Sequence, residues 1–336
     1  MTTPDTSTTT GALSTIGAAP ASPKSLLHLM SRYGIVVAFF AICIVLSVMN
    51  EYFLTVGNLS NILLQTSING ILAIGMTFVI LAGGIDLSVG SVLALAGMVS
   101  AGLVTGDTAH GAWVGVLGGV LAGVLCGAIN GGITTGLQVP SFVVTLAMMS
   151  AARGGAQIWN DGGPISQLSA DFLFLGEGRI YGVPVPVLIF FALFIVGWVI
   201  LRHTRFGRYV YAVGGNEKSA KTSGISTRTV LMGVYALCGL CAGLAGAVLT
   251  ARTTSALTQS GTGYELDAIA AVVIGGTSLS GGVGGLTGTL FGALIIAVIN
   301  NGLDLMGVSS YYQQVIKGIV IVAAVLLDTL SRKTSR

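Results

Sequence analysis

Asp86 is the residue of this sequence best placed to do chemistry. It lies in Leu81–Ser91, L-A-G-G-I-D-L-S-V-G-S, between two long apolar runs. A carboxylate in such surroundings is costly and is retained mostly where it meets water, a partner or a solute. The competing reading is a cap on a helix that begins near Ser88, with the carboxylate on free backbone N–H groups. A related segment, V-I-G-G-T-S-L-S-G-G-V-G-G, runs from Val273 to Gly285. Both contain G-G-x-x-L-S-x-G, in which adjacent glycines weaken a helix and serine hydroxyls offer hydrogen bonds. Paired interruptions in two halves of a membrane protein point to a solute pathway. Asp86, Ser88, Ser91, Ser278 and Ser280 are therefore pathway candidates. Asn69 joins them as a polar group inside an apolar run, and Asn130, Asn300 and Asn301 are of the same kind. Interhelical hydrogen bonding is the alternative for each asparagine.

Catalytic chemistry finds no support. The sequence has no G-x-x-x-x-G-K-[ST], so its glycine runs lack the lysine of a phosphate loop. It has no H-E-x-x-H and no G-x-S-x-G. Asp107 and His110 are close in sequence, where a solvated loop is the expectation. Cys238 and Cys241 form a C-x-x-C without a second pair or a nearby histidine, so they and Cys43 and Cys126 read as small packing residues. The chain is expected to be no enzyme, and no catalytic residue, metal or cofactor is expected.

The elements that must hold these residues are membrane helices. With 53% hydrophobic and 8% charged residues among 336, the chain has too little polar surface for a soluble globule. A crossing takes about 20 apolar residues, fewer where neighbours shelter the ends. On that measure ten spans are expected, over residues 34–50, 59–82, 88–105, 112–134, 141–157, 185–201, 229–250, 266–280, 285–303 and 311–329. The expected fold is all-α and polytopic, with helices broken near 83–91 and 273–285. Residues 1–30 read as a disordered cytoplasmic tail, 31–330 as the membrane domain and 331–336 as a C-terminal cytoplasmic tail.

Charge orients the bundle. Residues 202–228 hold six of the fifteen Lys and Arg but a single carboxylate, Glu217, which marks a cytoplasmic loop. With both termini on that side, eleven of the fifteen basic residues are cytoplasmic and eight of the twelve acids lie opposite. Lys317 is expected to snorkel outward past Tyr311 and Tyr312, the alternative being a buried pair with Asp304 or Glu265; Arg153 is expected to reach the same face. The basic residues sit in loop clusters and form no nucleic-acid patch.

Fifty glycines are about twice the usual share. Gly111, Gly115, Gly119, Gly123, Gly127 and Gly131 recur every fourth residue, and Gly284, Gly288 and Gly292 and Gly239 and Gly243 repeat the device. Such ridges let helices approach until backbones touch.

Four segments together resemble the permease subunits of ribose-type sugar ABC importers. They are Gly83–Ser91, Val139–Met149 with Arg153–Gly154, the R-x-G-R-Y-V-Y-A-V-G-G-N-E-x-x-A-x-x-S-G-I loop from Arg205 to Ile225, and Val273–Gly284. The resemblance covers about residues 30–330 and implies a permease of the inner membrane that passes a monosaccharide by alternating access. It implies as partners cytoplasmic ATP-binding subunits, an external sugar-binding protein and a second permease copy. Gly215, Asn216, Glu217, Ala220 and Gly224 match the segment that couples such permeases to the ATPase. Their E-x-x-A-x-x-x-G pattern is similar to the corresponding loop of other importer permeases, with one extra residue before the glycine. Two other readings stand beside it: the same machine carrying a branched-chain amino acid or nucleoside, and an ion-coupled carrier, which would need several buried carboxylates, with Asp86 and Asp328 the candidates.

Overall fold

A computed structural model describes residues 23–106 and 110–334. Residues 1–22, Asp107 and Arg336, and the side chains of Lys24, Arg32, Asp328, Arg332 and Lys333, lie outside the described part, and with them most of the expected N-terminal tail. The described chain is helical almost throughout, and its one sheet is a hairpin of two two-residue strands.

In chain order the helices are α1 (Pro23–Met49), α2 (Val56–Leu81), α3 (Val89–Val104), α4 (Ala112–Gly136), α5 (Ser141–Ile158) and α6 (Ala170–Glu177). After the hairpin β1 (Arg179–Ile180) and β2 (Val183–Pro184) come α7 (Val185–His203), α8 (Arg205–Gly215), α9 (Glu217–Thr222) and α10 (Thr227–Arg252). Last are α11 (Tyr264–Ile274), α12 (Leu286–Leu305) and α13 (Ser310–Thr334). Each expected span falls on one of these helices. Among the described residues α2, α4, α7, α10 and α12 are long and apolar enough to cross a membrane. The chain is an all-α polytopic membrane protein. The basic 202–228 stretch folds into α8 and α9, and α6 is a further short helix that hydropathy does not mark.

α2 is buried on every side from Thr66 to Leu81. A helix apolar all round sits at the centre of a bundle, and α2 is ringed by α7, α10, α11 and α12. α4 shows why lipid-facing helices need only one smooth side. Gly115, Gly119, Gly123 and Gly127 are buried, while Leu117, Leu121, Leu125 and Ile129 are exposed. The two sets sit two residues apart, on opposite faces at 3.6 residues per turn. On the buried face a side-chain carbon at Gly123 would run into the backbone of Gly239 and Gly243, and one at Gly127 into Tyr235. α4 and α10 therefore touch backbone to backbone, as the ridges imply. Gly288 does the same against Gly275. Gly284 does not belong to that ridge: it precedes α12, has φ +131° and serves the turn before it.

Both expected interruptions are present as breaks between helices, over residues 82–88 and 275–285. The expected eighth span, 266–280, is helical only to Ile274. Its eleven-residue helix is about 16 Å long, half the hydrocarbon thickness. The segment before it, residues 253–263, is held at two places: Ala256 bridges to Ile165 in the connection between α5 and α6, and Gly261 lies against Gly90 of α3. Arg153 fastens this segment: its guanidinium donates to the Thr258 and Ser260 carbonyls at 2.6 and 2.9 Å. These bonds form because the irregular backbone of 253–263 leaves carbonyls without helical partners.

Candidate functional site

The break after α2 is built on Asp86. Its carboxylate accepts from the Ser88 backbone N–H at 2.9 Å and from the Ser88 hydroxyl at 2.6 Å. Asn130 on α4 donates in turn to the Ser88 oxygen at 3.0 Å. On α5, Thr145 donates to the Ile85 carbonyl, and Ser141 accepts from the Ile85 N–H. Asp86, Ser88 and Asn130 are buried. Asp86 thus folds the chain back two residues on, an Asx turn leading into α3. The second break repeats the device, since the Ser278 oxygen accepts from the Ser280 N–H at 3.0 Å. Asp86 and Ser278 occupy the same place in G-G-x-x-L-S-x-G, so the repeat seen in sequence is a repeat of local structure. Ser91 and Ser278 are buried, and Ser280 is exposed. None of these serines lines either of the two cavities described below.

The two breaks nevertheless meet, through α8. The Gly282 N–H donates to the Leu81 carbonyl at 2.9 Å. Gly214 lies between them, where an added side-chain carbon would strike Leu81 and Gly282, and Gly83 adjoins Gly214 and Gly281. Tyr211 on α8 donates to the Gly284 carbonyl at 2.8 Å. α8 can do this because Gly207, Val210 and Val213 form its buried face, and because Thr204 caps it by accepting from the Gly207 N–H. The sequence reading marks Gly281 and Gly282 only as part of the repeat, and gives no role to Gly214 or Tyr211. The available signal was the G-G dipeptide present in α8 and in both breaks.

Gly215 ends α8, and Asn216 opens α9 as its cap, accepting from the Ser219 N–H at 2.9 Å. Glu217 and Lys221 are exposed, and Ala220 is buried at 4% exposure, so α9 is fixed by one small residue and offers its charges outward. Gly224 closes the segment at φ +82°, a conformation other residues rarely adopt. Beside α9 lies a cavity of about 580 Å3 whose wall includes Gln138, Pro140, Glu217, Lys221 and Arg228.

A second cavity, of about 520 Å3, opens among α2, α10, α11, α12 and α13. Asn69 lines it from α2 and Asn300 from α12. The side-chain oxygens of both are buried and have no hydrogen-bond partner among the described residues. Lys317 on α13 reaches across the cavity wall to Asp267 on α11, with 2.9 Å between Nζ and Oδ2. Neither expectation for Lys317 holds: it turns inward, and its partner is neither Asp304 nor Glu265. The cause is packing of α13 on α11, which brings the lysine to a carboxylate only 3% exposed. Asp304 accepts from Gln313 at 2.7 Å, and Arg252 completes the charged lining. Among the described residues no cluster suits a metal ion.

The chain matches the family model described as "Branched-chain amino acid transport system / permease component" over residues 58–325. It belongs to that permease family. The ribose import permease protein of Escherichia coli is 49% identical over 296 residues, 87% of this chain and 92% of that protein. The ribose import permease protein of Bacillus subtilis is 50% identical over 301 residues, 89% of this chain and 93% of that one. The D-allose transport system permease protein of Escherichia coli is 38% identical over 315 residues, 93% and 95% of the two chains. No solved structure matches.

Proposed function

We propose that this chain is the membrane permease subunit of an ATP-driven, binding-protein-dependent importer of a monosaccharide, ribose first among the candidates. The observation that carries the reading is identity near one half to two ribose import permeases across almost the full length of both partners. The cavity among α2, α10, α11, α12 and α13 supports it, because a neutral, hydroxyl-rich solute needs amide groups and compensated charge in its path.

In this reading α1, α3, α5, α11 and α13 join the five long apolar helices to make ten crossings of the bacterial inner membrane, with both termini and α8–α9 in the cytoplasm. The energy comes from ATPase subunits that dock against α9, with Gly215, Asn216, Glu217, Ala220 and Gly224 forming the coupling segment. Binding of ATP on those subunits would draw the α9 segments of two permease copies together. Because α8 packs at Gly214 against both breaks and bonds to the second through Tyr211, that movement reaches α2, α3, α11 and α12 without passing through a flexible loop. An external binding protein presents the sugar and supplies most of the affinity. Ser88, Ser91 and Ser278 act in the turns that the movement reorients.

The test is uptake of radiolabelled ribose, allose, arabinose and leucine by cells lacking their own importers and expressing this permease with its ATPase and binding protein. ATP-dependent accumulation of a sugar that requires the binding protein is the expected result. Accumulation of leucine alone, or of no sugar by correctly inserted permease, would refute the proposal.

A further inference from the structure

Four observations bear on the cavity among α2, α10, α11, α12 and α13. Its volume of about 520 Å3 falls inside the range of roughly 300–1,000 Å3 typical of small-molecule sites. Asn69 and Asn300 line it from two different helices, with the neutral polar side chains of Gln65, Gln313 and Tyr264 beside them. Formal charge in the wall cancels, with Arg252 and Lys317 against Asp267 and Asp304. Ile68 and Leu249 add an apolar surface.

A wall rich in neutral side-chain amides suits hydroxyl groups, and balanced charge offers no net attraction to an ion. Side-chain amides accept from hydroxyls and donate to them. An apolar strip suits the C–H face of a ring whose rim is hydroxylated. The Asp267–Lys317 pair uses Oδ2 of the carboxylate, so Oδ1 remains for a hydroxyl donor. We infer that this cavity is the station at which the permease holds a monosaccharide in transit, with Asn69 and Asn300 as its recognising residues and the Asp267–Lys317 pair as its fixed polar wall. The inference rests on the importer reading and deepens it by locating the sugar.

The experiment uses full-length permease reconstituted in nanodiscs with its ATPase and binding protein. A hydrophilic thiol reagent is applied to Asn69→Cys and Asn300→Cys. Ser280→Cys, in the exposed turn beside α8, is the comparison, and the unmodified protein gives the background from its own cysteines. Ribose at about ten times its dissociation constant should slow labelling at both asparagine positions about ten-fold and leave Ser280→Cys unchanged. Equal labelling with and without ribose, in a complex that imports ribose, overturns the site while leaving the importer reading intact. Protection by leucine in a complex that imports no sugar overturns the importer reading instead. Should the cysteine variants fail to assemble, Asn69→Ser and Asn300→Ser carry the test. They should slow ribose transport while ATP hydrolysis stimulated by the binding protein persists, and unchanged transport in both counts against the site.

Discussion

Asp86 and Ser278 do one job with different side chains: each accepts a hydrogen bond from the backbone N–H two residues on and so turns the chain out of a helix. That explains why a carboxylate survives at Asp86 without facing any of the described cavities. Only an acceptor is required there, so Asp86→Asn should keep the turn and transport close to the unmodified level. Asp86→Ala should strip Ser88 of its acceptor and lower stability by about 1–3 kcal/mol, read as faster thermal inactivation in detergent. If Asp86→Asn inserts normally yet abolishes transport, the charge itself is used by the solute, as sequence alone allowed. Asp86 was visible in the sequence because a charge inside an apolar run stands out locally. The Lys317–Asp267 pair was not, since its members are fifty residues apart on different helices and nothing local says which acid a lysine will meet. Asp267→Ala leaves that lysine without its partner and should reduce the yield of folded permease. Asp267→Asn combined with Lys317→Met should restore yield relative to the single variant, because removing both charges costs less than stranding one. A double variant no better than the single one would mean that the pair is not energetically coupled.

The helices divide by how their sequence signals arise. α4 was readable from its four-residue glycine period, and so was the fact that it packs closely; its partner α10 was not, because a ridge names a face and not what covers it. α8 is hidden for a different reason: eleven residues give no long apolar run, and it buries only a narrow face around Gly207, Val210 and Val213, whereas α9 falls in the coupling segment that the family resemblance marks. The packing reading of α4 makes a sharp contrast within one helix. At Gly123 an added carbon meets the backbone of α10, whereas at Gly132 nothing lies within 4 Å. Gly123→Ala should therefore cost about 1–3 kcal/mol and lower the yield of monodisperse protein, while Gly132→Ala is tolerated; equal behaviour of the two would contradict the backbone contact. In α9 the sensitive point is conformational. Gly224→Val places a β-branched residue at φ +82°, which disfavours the fold of the segment. The same variant should insert normally, keep ATP hydrolysis by the associated ATPase and lose most uptake.

Across the whole molecule, the α8–α9 surface and the asparagine-lined cavity are separate, and no side chain belongs to both walls. A machine that works at two such places must transmit movement through packed backbone, and the glycine junction supplies the route. Leu81 ends α2, which carries Asn69; Gly282 precedes α12, which carries Asn300; and Gly214 of α8 sits against both. The two helices that present the unpartnered amides are thus the two that α8 grips at their other ends. Displacing α8 should change the separation of Asn69 and Asn300, which is what alternate access to that cavity requires. Gly214→Ala tests this directly, because even one carbon there meets the Leu81 carbonyl and forces α8 away. The expected outcome is a permease that inserts, binds its ATPase and supports ATP hydrolysis, yet imports sugar at less than about a tenth of the normal rate, since motion no longer reaches both helices together. Spin labels on Asn69→Cys and Asn300→Cys should then give a distance that no longer responds to ATP. If the distance still shifts and uptake is normal, the coupling runs through some other contact, and the meeting of the two breaks at Gly214 is packing alone.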